Sequence, residues 1–479
     1  MYIFLLSEVY KLIAVRRNCD MHFLLGCLVW GMIIVLMFFL RPKSRLHDVT
    51  MEIIGKKKKT LIVSLQIIII LGCTLPMGLS PFWNGEIPEH RNQYEVLAEA
   101  ILEGRLYFDY PVDPKLAAME NPYDYEARME IGAAHPWDHA YYNNHYYMYY
   151  GVVPVFLLFL PYRILTGQNL TTYHATQVFV TVFVIGVFAL FYLLTKKFFP
   201  KMSLILYLFL SASFSIVGIW YSIGAPALYT TANTAGLCLG IWSLFFFVKA
   251  VWDTEQVSKS FFLAFWGSLL GALTFGCRPP MGLANLLVIP MLITFLHGKK
   301  IDGKCIKGLL MACMPYFIIG ALLMAYNYIR FDNPFEFGQA YQLTVVDQSS
   351  YGSAFSKASL FRVLNGIVSN FISFVPFSDT FPYLSINGAL VNFPIFLYAF
   401  WSLAQKNVRD ELRKMGLWGI VKMLLFLPIL ISAVDALWAP TMYERSRMDI
   451  YWLMGILCFI VTGIYYRELS GKSRRKVSS

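Results

Sequence analysis

Charge is scarce in this chain. Only 14% of its 479 residues are Asp, Glu, Lys or Arg, 57% are hydrophobic, and the mean hydropathy is +0.55. Globular chains carry nearer a quarter charged residues, so a soluble fold of this length is excluded and lipid must solvate much of the surface. Organised cysteine is missing too. The eight cysteines make no zinc or redox spacing, the polar loops hold no disulfide framework, and those in apolar runs (Cys27, Cys73, Cys238, Cys313, Cys458) read as small core filler. There is no internal repeat of the kind that marks the inverted halves of a secondary transporter. The apolar segments carry few ionisable groups beyond Lys422 and Asp435, which weakens an ion-coupled pump.

The charge that is present is informative by position. A net charge of +11 invites a nucleic-acid partner, but the cations sit in short runs beside apolar segments: Lys56 to Lys59, Lys196-Lys197, Lys299-Lys300, Lys406 to Lys414 and Arg474-Arg475-Lys476. That is a topology signal, with basic connections inside; no nucleic acid is expected. Segments of roughly 17–25 apolar residues can cross a bilayer. They fall at about 60–80, 172–195, 202–221, 228–250, 261–277, 281–297, 308–328, 386–403, 417–437 and 451–466. With Lys56 to Lys59 cytoplasmic, the alternation leaves about 25 of the 40 Lys and Arg inside and about 19 of the 29 acids outside. The expected fold is an all-α multi-pass membrane protein of about ten spans, or eleven if 22–40 also crosses. Residues 1–50 form an N-terminal extension, or else Met51 is the start; no small-residue cleavage site follows 22–40. Residues 51–479 form the transmembrane domain.

Two long polar segments, about 81–171 and 329–385, fall outside on this topology. The first carries twelve acids and a dense aromatic set. Its end, Tyr149 to Leu165, is apolar but contains Pro154 and Pro161 and reads as a helix lying at the outer interface. The second opens Arg330-Phe-Asp-Asn-Pro-Phe-Glu-Phe-Gly and includes an amphipathic stretch, Leu360 to Phe377. Carboxylates and aromatics gathered beside a membrane suggest a binding site. Glu86 and Glu89 stand within about a turn of the first span, where partial shielding from water suits a carboxylate to act as a general base. Helix capping and loop solvation are the plainer uses of such acids. A helix follows through Tyr94 and Glu99 to the Gly104 region.

The stretch from His135 to Gly151 holds Trp137, Tyr142 and neighbouring aromatics beside Asn amides, a combination suited to sugar rings or to a membrane interface. His135, Asp138 and His139 have helix-compatible spacing for a metal, but Pro136 works against that geometry; no metal or cofactor is assigned. Arg278, in a tight external hairpin, and Arg445 and Arg447, flanked by Glu444 and Asp449, can together hold a phosphate in forked geometry. Snorkelling to lipid headgroups and an internal salt-bridge knot are the competing uses.

The order of these features resembles the GT-C superfamily of membrane glycosyltransferases, which includes protein mannosyltransferases and aminoarabinose transferases. The similarity runs from about residue 51. It consists of a basic start, one span and a large external loop opening on acids, then a helix ending Leu102-Glu-Gly-Arg-Leu-Tyr-Phe-Asp109, an aromatic-Pro juxtamembrane segment and further spans. The resemblance implies inverting transfer of a sugar from a polyprenyl-phosphate donor to a hydroxyl of an envelope glycan, lipid or protein, on the extracytoplasmic side. A carboxylate takes the acceptor proton, and cations stabilise the departing phosphate. Two positions depart from the pattern. The acid expected four residues before Tyr94 is His90, with Glu89 adjacent, and the Ser222-to-Leu228 connection has no acid. The expected roles are therefore Glu89 as base with Glu86 behind it, Arg278, Arg445, Arg447 and Asp449 at the donor phosphate, and Tyr94, Trp137 and Tyr142 lining the cleft. A transporter or flippase for lipid-linked or anionic solutes, and a non-catalytic polysaccharide-assembly subunit, are the alternatives.

Overall fold

The computed structural model describes residues 49–75, 92–224, 227–297, 301–349, 360–374, 387–392, 394–438 and 444–477. The 22–40 stretch, Glu86 and Glu89 lie outside these residues. The described residues are mainly helical (74%), and among them seven helices are long and apolar enough to cross a membrane. It is an all-α, multi-pass membrane protein.

Helix α1 (Lys56–Thr74) leads to a lobe built on α2 (Gln93–Leu102), α3 (Pro114–Ala117), α4 (Tyr125–Ile131) and a hairpin of β1 (Ala140–Tyr142) and β2 (His145–Tyr147). Asn92 caps α2, its side-chain oxygen accepting the N–H of Tyr94 and Glu95, and Gly104 ends the turn at φ +76°. The hairpin turns on Asn143 and Asn144, both at positive φ (47° and 58°), which asparagine tolerates in a tight two-residue turn. The lobe closes with a π-helical turn, Val155–Phe159, continued by α5 (Leu160–Thr166). This apolar helix of twelve residues is about 18 Å long, too short to cross a bilayer core of about 30 Å.

The bundle follows: α6 (Thr172–Phe198), α7 (Leu204–Gly224), α8 (Leu228–Trp252), α9 (Val257–Cys277), α10 (Pro279–Gly282) running through a 3-10 turn into α11 (Val288–Leu296), and α12 (Gly303–Phe331). Next come the amphipathic α13 (Leu360–Ile372), short α14 (Ala389–Asn392) and α15 (Ile395–Ala404), polar α16 (Lys406–Lys414), then α17 (Trp418–Trp438) and α18 (Met448–Val477). Helix α8 is the core of the bundle, packed against α6 and α9, while α12 leans on α9 with most of its surface exposed. Within the span expected at 386–403, the described residues form α14 and α15, with Pro394 as the N-cap of α15; at about 15 Å, α15 alone does not cross a bilayer.

The lobe is fastened to the bundle at defined points. Fully buried Arg128 donates to the carbonyls of Pro122 and Thr344, joining the lobe to the segment after α12. Gly151 lies so close to the end of α9 that a β-carbon there would overlap the Cys277 carbonyl.

Candidate functional site

The ends of α8, α9, α12 and α17 and the start of α18 meet the lobe around a cavity of about 420 Å³. These are the ends that the charge alternation assigns to one side. The apolar bundle supplies the scaffold, and the polar groups come from helix termini and loops, where backbone direction changes without loss of packing.

Three arginines and two aspartates line the cavity: Arg278, Arg330, Arg445, Asp138 and Asp435. Arg278 is held by acids. Its Nε donates to Asp449 Oδ2 at 2.5 Å, Nη2 donates to Ser446 Oγ at 3.2 Å, and Nη2 lies 3.8 Å from Asp435 Oδ1. Asp449 is fully buried and its other oxygen accepts from Asn233 Nδ2 at 3.2 Å. Such a buried group costs several kcal/mol to desolvate and persists because the charges face each other.

Arg330 is different. It is buried (4% exposed), yet its hydrogen bonds go to neutral groups: the Met148 carbonyl at 2.6 Å, Asn327 Oδ1 at 2.9 Å and the Tyr326 carbonyl at 3.4 Å. The guanidinium lies 3.8 Å from the Tyr326 ring centre and 4.5 Å from that of Phe331. Among the described residues it makes no ion pair. Five N–H groups and three protein acceptors leave donors for a ligand. Arg445 sits over the Tyr229 ring at 5.2 Å, its carbonyl tied to Asn233 Nδ2 at 3.2 Å.

Asp138 is buried (7% exposed) and also makes no ion pair among the described residues. Tyr229 donates to its Oδ2 at 2.5 Å and Gln342 Nε2 to its Oδ1 at 2.9 Å. Tyr149 and Tyr150 stand beside it; burial pushes both phenols well above their usual range, so both remain neutral O–H groups. Half-buried His139 is held down to about 4 by desolvation and is neutral near pH 7.

The expected site residues separate into groups. Trp137, Arg278 and Arg445 line the cavity, whereas Arg447 and Asp449 are buried behind its wall. Tyr94 is fully buried beneath the lobe, stacked on Phe159 at 5.1 Å, its O–H directed to the Leu228 carbonyl at 3.4 Å; it packs and does not line the cavity. Tyr142 belongs to a separate aromatic cluster with Tyr341 and Phe331, and donates to Asp332 Oδ2 at 3.1 Å. Glu86 and Glu89 lie outside the described residues. Among the described residues no group of three metal-binding side chains forms, and Asp138 and His139 direct their side chains to different partners. Sequence reasoning passed over Arg330, although the polar Arg330-to-Gly338 run that ends an apolar span was a visible signal. Tyr229, Gln342 and Gln348 carried no such signal.

No family model, curated protein or solved structure matches the chain.

Proposed function

We propose that this protein transfers a sugar from a polyprenyl-phosphate donor to a hydroxyl acceptor, with the cavity facing the extracytoplasmic side. The observation that carries this reading is a single cavity lined by a buried arginine and a buried aspartate, neither ion-paired among the described residues. Sugar transfer from a lipid phosphate needs both charges. A guanidinium stabilises the phosphate as the bond to the anomeric carbon breaks, and a carboxylate takes the acceptor proton. Trp137, 48% exposed beside Asp138, offers a flat face for a sugar ring. Arg445 and Arg330 are the donor-phosphate residues of this proposal; Arg278 and Asp449 shape the floor through their ion pair, with Arg447 behind it. Glu89 and Glu86, expected as the base from the sequence, lie outside the described residues. Basic groups at the opposite helix ends, including Lys196, Lys197, Lys249 and the α16 cluster, support the orientation.

The test is Arg330→Gln and Arg445→Gln in proteoliposomes supplied with radiolabelled polyprenyl-phosphate sugar. The expected result is a rise in donor KM; unchanged KM in both variants removes the phosphate assignment. One observation favours a second reading, transport of a lipid-linked or anionic solute: Arg278, Asp435 and Asp449 form an ion cluster held among the membrane helices, and ionisable groups within such a bundle mark ion pathways. Counterflow of the same donor across sealed vesicles without sugar transfer selects that reading.

A further inference from the structure

We propose that Asp138 is the general base of the transfer, a role the opening acids of the loop were expected to fill. This rests on the glycosyl-transfer reading.

Both the backbone and the side chain of Asp138 are held by defined partners. Asp138 has a left-handed backbone (φ 54°), a conformation that aspartate tolerates better than most residues. Its N–H donates to the Leu343 carbonyl at 3.1 Å, and the Leu343 N–H returns a bond to the His139 carbonyl at 2.9 Å. Gln93 Nε2, from α2, donates to the Asp138 carbonyl at 2.7 Å. The backbone is thus fixed from two separate segments before the side chain is considered.

The carboxylate is then aimed by neutral donors alone. Tyr229, in the first turn of α8, takes Oδ2, and Gln342 takes Oδ1. The Gln342 amide has one orientation, because Gln348 Nε2 donates to its oxygen at 2.6 Å and leaves its nitrogen to face Asp138. None of these partners carries formal charge, so the carboxylate is oriented without being neutralised. Each oxygen has a second lone-pair direction free for a ligand O–H. Asp435, the other aspartate lining the cavity, is beside Arg278 and Asp449 in the ion cluster. Asp138 instead lies next to Trp137 in sequence, and its partner Tyr229 carries Arg445 on its ring face. A base, a sugar platform and a cation for the leaving phosphate are therefore contiguous.

The step balances. The acceptor O–H proton moves to an Asp138 oxygen as the acceptor oxygen forms a bond to the anomeric carbon. The bond from that carbon to the phosphate oxygen breaks on the opposite face, and its electron pair leaves with the polyprenyl phosphate. The anomeric configuration inverts, and the aspartic acid later returns its proton to water.

Asp138→Asn preserves shape and can keep the hydrogen bonds to Gln342 and Tyr229. In proteoliposomes with radiolabelled polyprenyl-phosphate hexose or pentose, kcat should fall by about 100- to 10,000-fold, with donor KM within about threefold of wild type. Transfer above about a tenth of the wild-type rate overturns the assignment, as does loss in Glu89→Gln with retention in Asp138→Asn. Tyr229→Phe is the second variant. It removes a donor that orients the carboxylate, so kcat should fall by about 10-fold or more with donor KM unchanged. An unchanged kcat in Tyr229→Phe also overturns the proposal. Failure of the wild type to transfer any such sugar defeats the glycosyl-transfer reading itself, and the base assignment with it.

Discussion

Replacing Arg278 by Met should cost far more than an ordinary surface ion pair. Asp449 has no exposed side-chain area, Asp435 has 5%, and Arg278 itself has 20%, turned to the cavity. Removing the cation strands two carboxylates at the ends of α17 and α18, and a broken buried pair costs about 3–5 kcal/mol. That is about a 100- to 5,000-fold loss in the folded-to-unfolded ratio. Adding Asp449→Leu should recover part of the loss, because it removes one of the stranded charges; neighbours of this kind couple by about 0.5–3 kcal/mol. The assay is an SDS titration of the purified protein in mixed micelles, comparing wild type, the single variant and the double variant. A loss below about 1 kcal/mol, the usual worth of an exposed pair, refutes the argument. It would return Arg278 to the role of a phosphate ligand, which predicts a changed donor KM and little change in stability.

Further outcomes follow from other parts of the site. Arg445→Gln should raise donor KM by about 10- to 100-fold, the worth of one or two charge-assisted hydrogen bonds, as measured by initial rates in proteoliposomes. The His139 imidazole is held down to about 4 by burial, below its ordinary value of about 6.5. Its neutral form therefore supports the fold fully above pH 6.5, and that support is lost as pH falls through the window toward 4. Unfolding midpoints should fall more steeply for wild type than for His139→Gln across that window; parallel curves contradict it. Gly151→Ala drives a methyl into the Cys277 carbonyl and should destabilise by about 1–3 kcal/mol, read by thermal unfolding; a neutral effect would show that the lobe can back away freely.

Most of the bundle was legible because length and hydropathy act along the chain. The apolar runs at 172–195, 228–250 and 308–328 became α6, α8 and α12 with ends shifted by a few residues. The interfacial reading of Tyr149 to Leu165 rested on two prolines and a charge alternation, and α5 with its π-helical entry is correspondingly short. Of the run at 386–403, the described residues form the short helices α14 and α15, a division that hydropathy alone does not carry. The β1–β2 hairpin was also hidden. Its Asn143-Asn144 turn lies within a tyrosine-rich stretch that reads equally well as interfacial decoration.

The site was less legible because its geometry is tertiary. Arg278, Arg445, Arg447 and Asp449 were singled out at a donor phosphate, but the structure ties Arg278 to Asp449 and leaves Arg330 with neutral partners. Which arginine is discharged depends on which carboxylate arrives from 171 residues away, and spacing along the chain carries no such information. Asp138 was visible only as a weak metal ligand. Its importance comes from Gln93, Tyr229 and Gln342, which lie 45, 91 and 204 residues away.

The central claim is that the cavity transfers a lipid-linked sugar, and release of the lipid carrier tests it most directly. Wild-type protein in proteoliposomes would be given radiolabelled polyprenyl-phosphate sugar together with an envelope extract as acceptor source, and both products followed over time. The account predicts stoichiometric appearance of free polyprenyl phosphate and a labelled acceptor carrying the sugar in the inverted anomeric configuration. Intact donor on both sides of the membrane after prolonged incubation would contradict it.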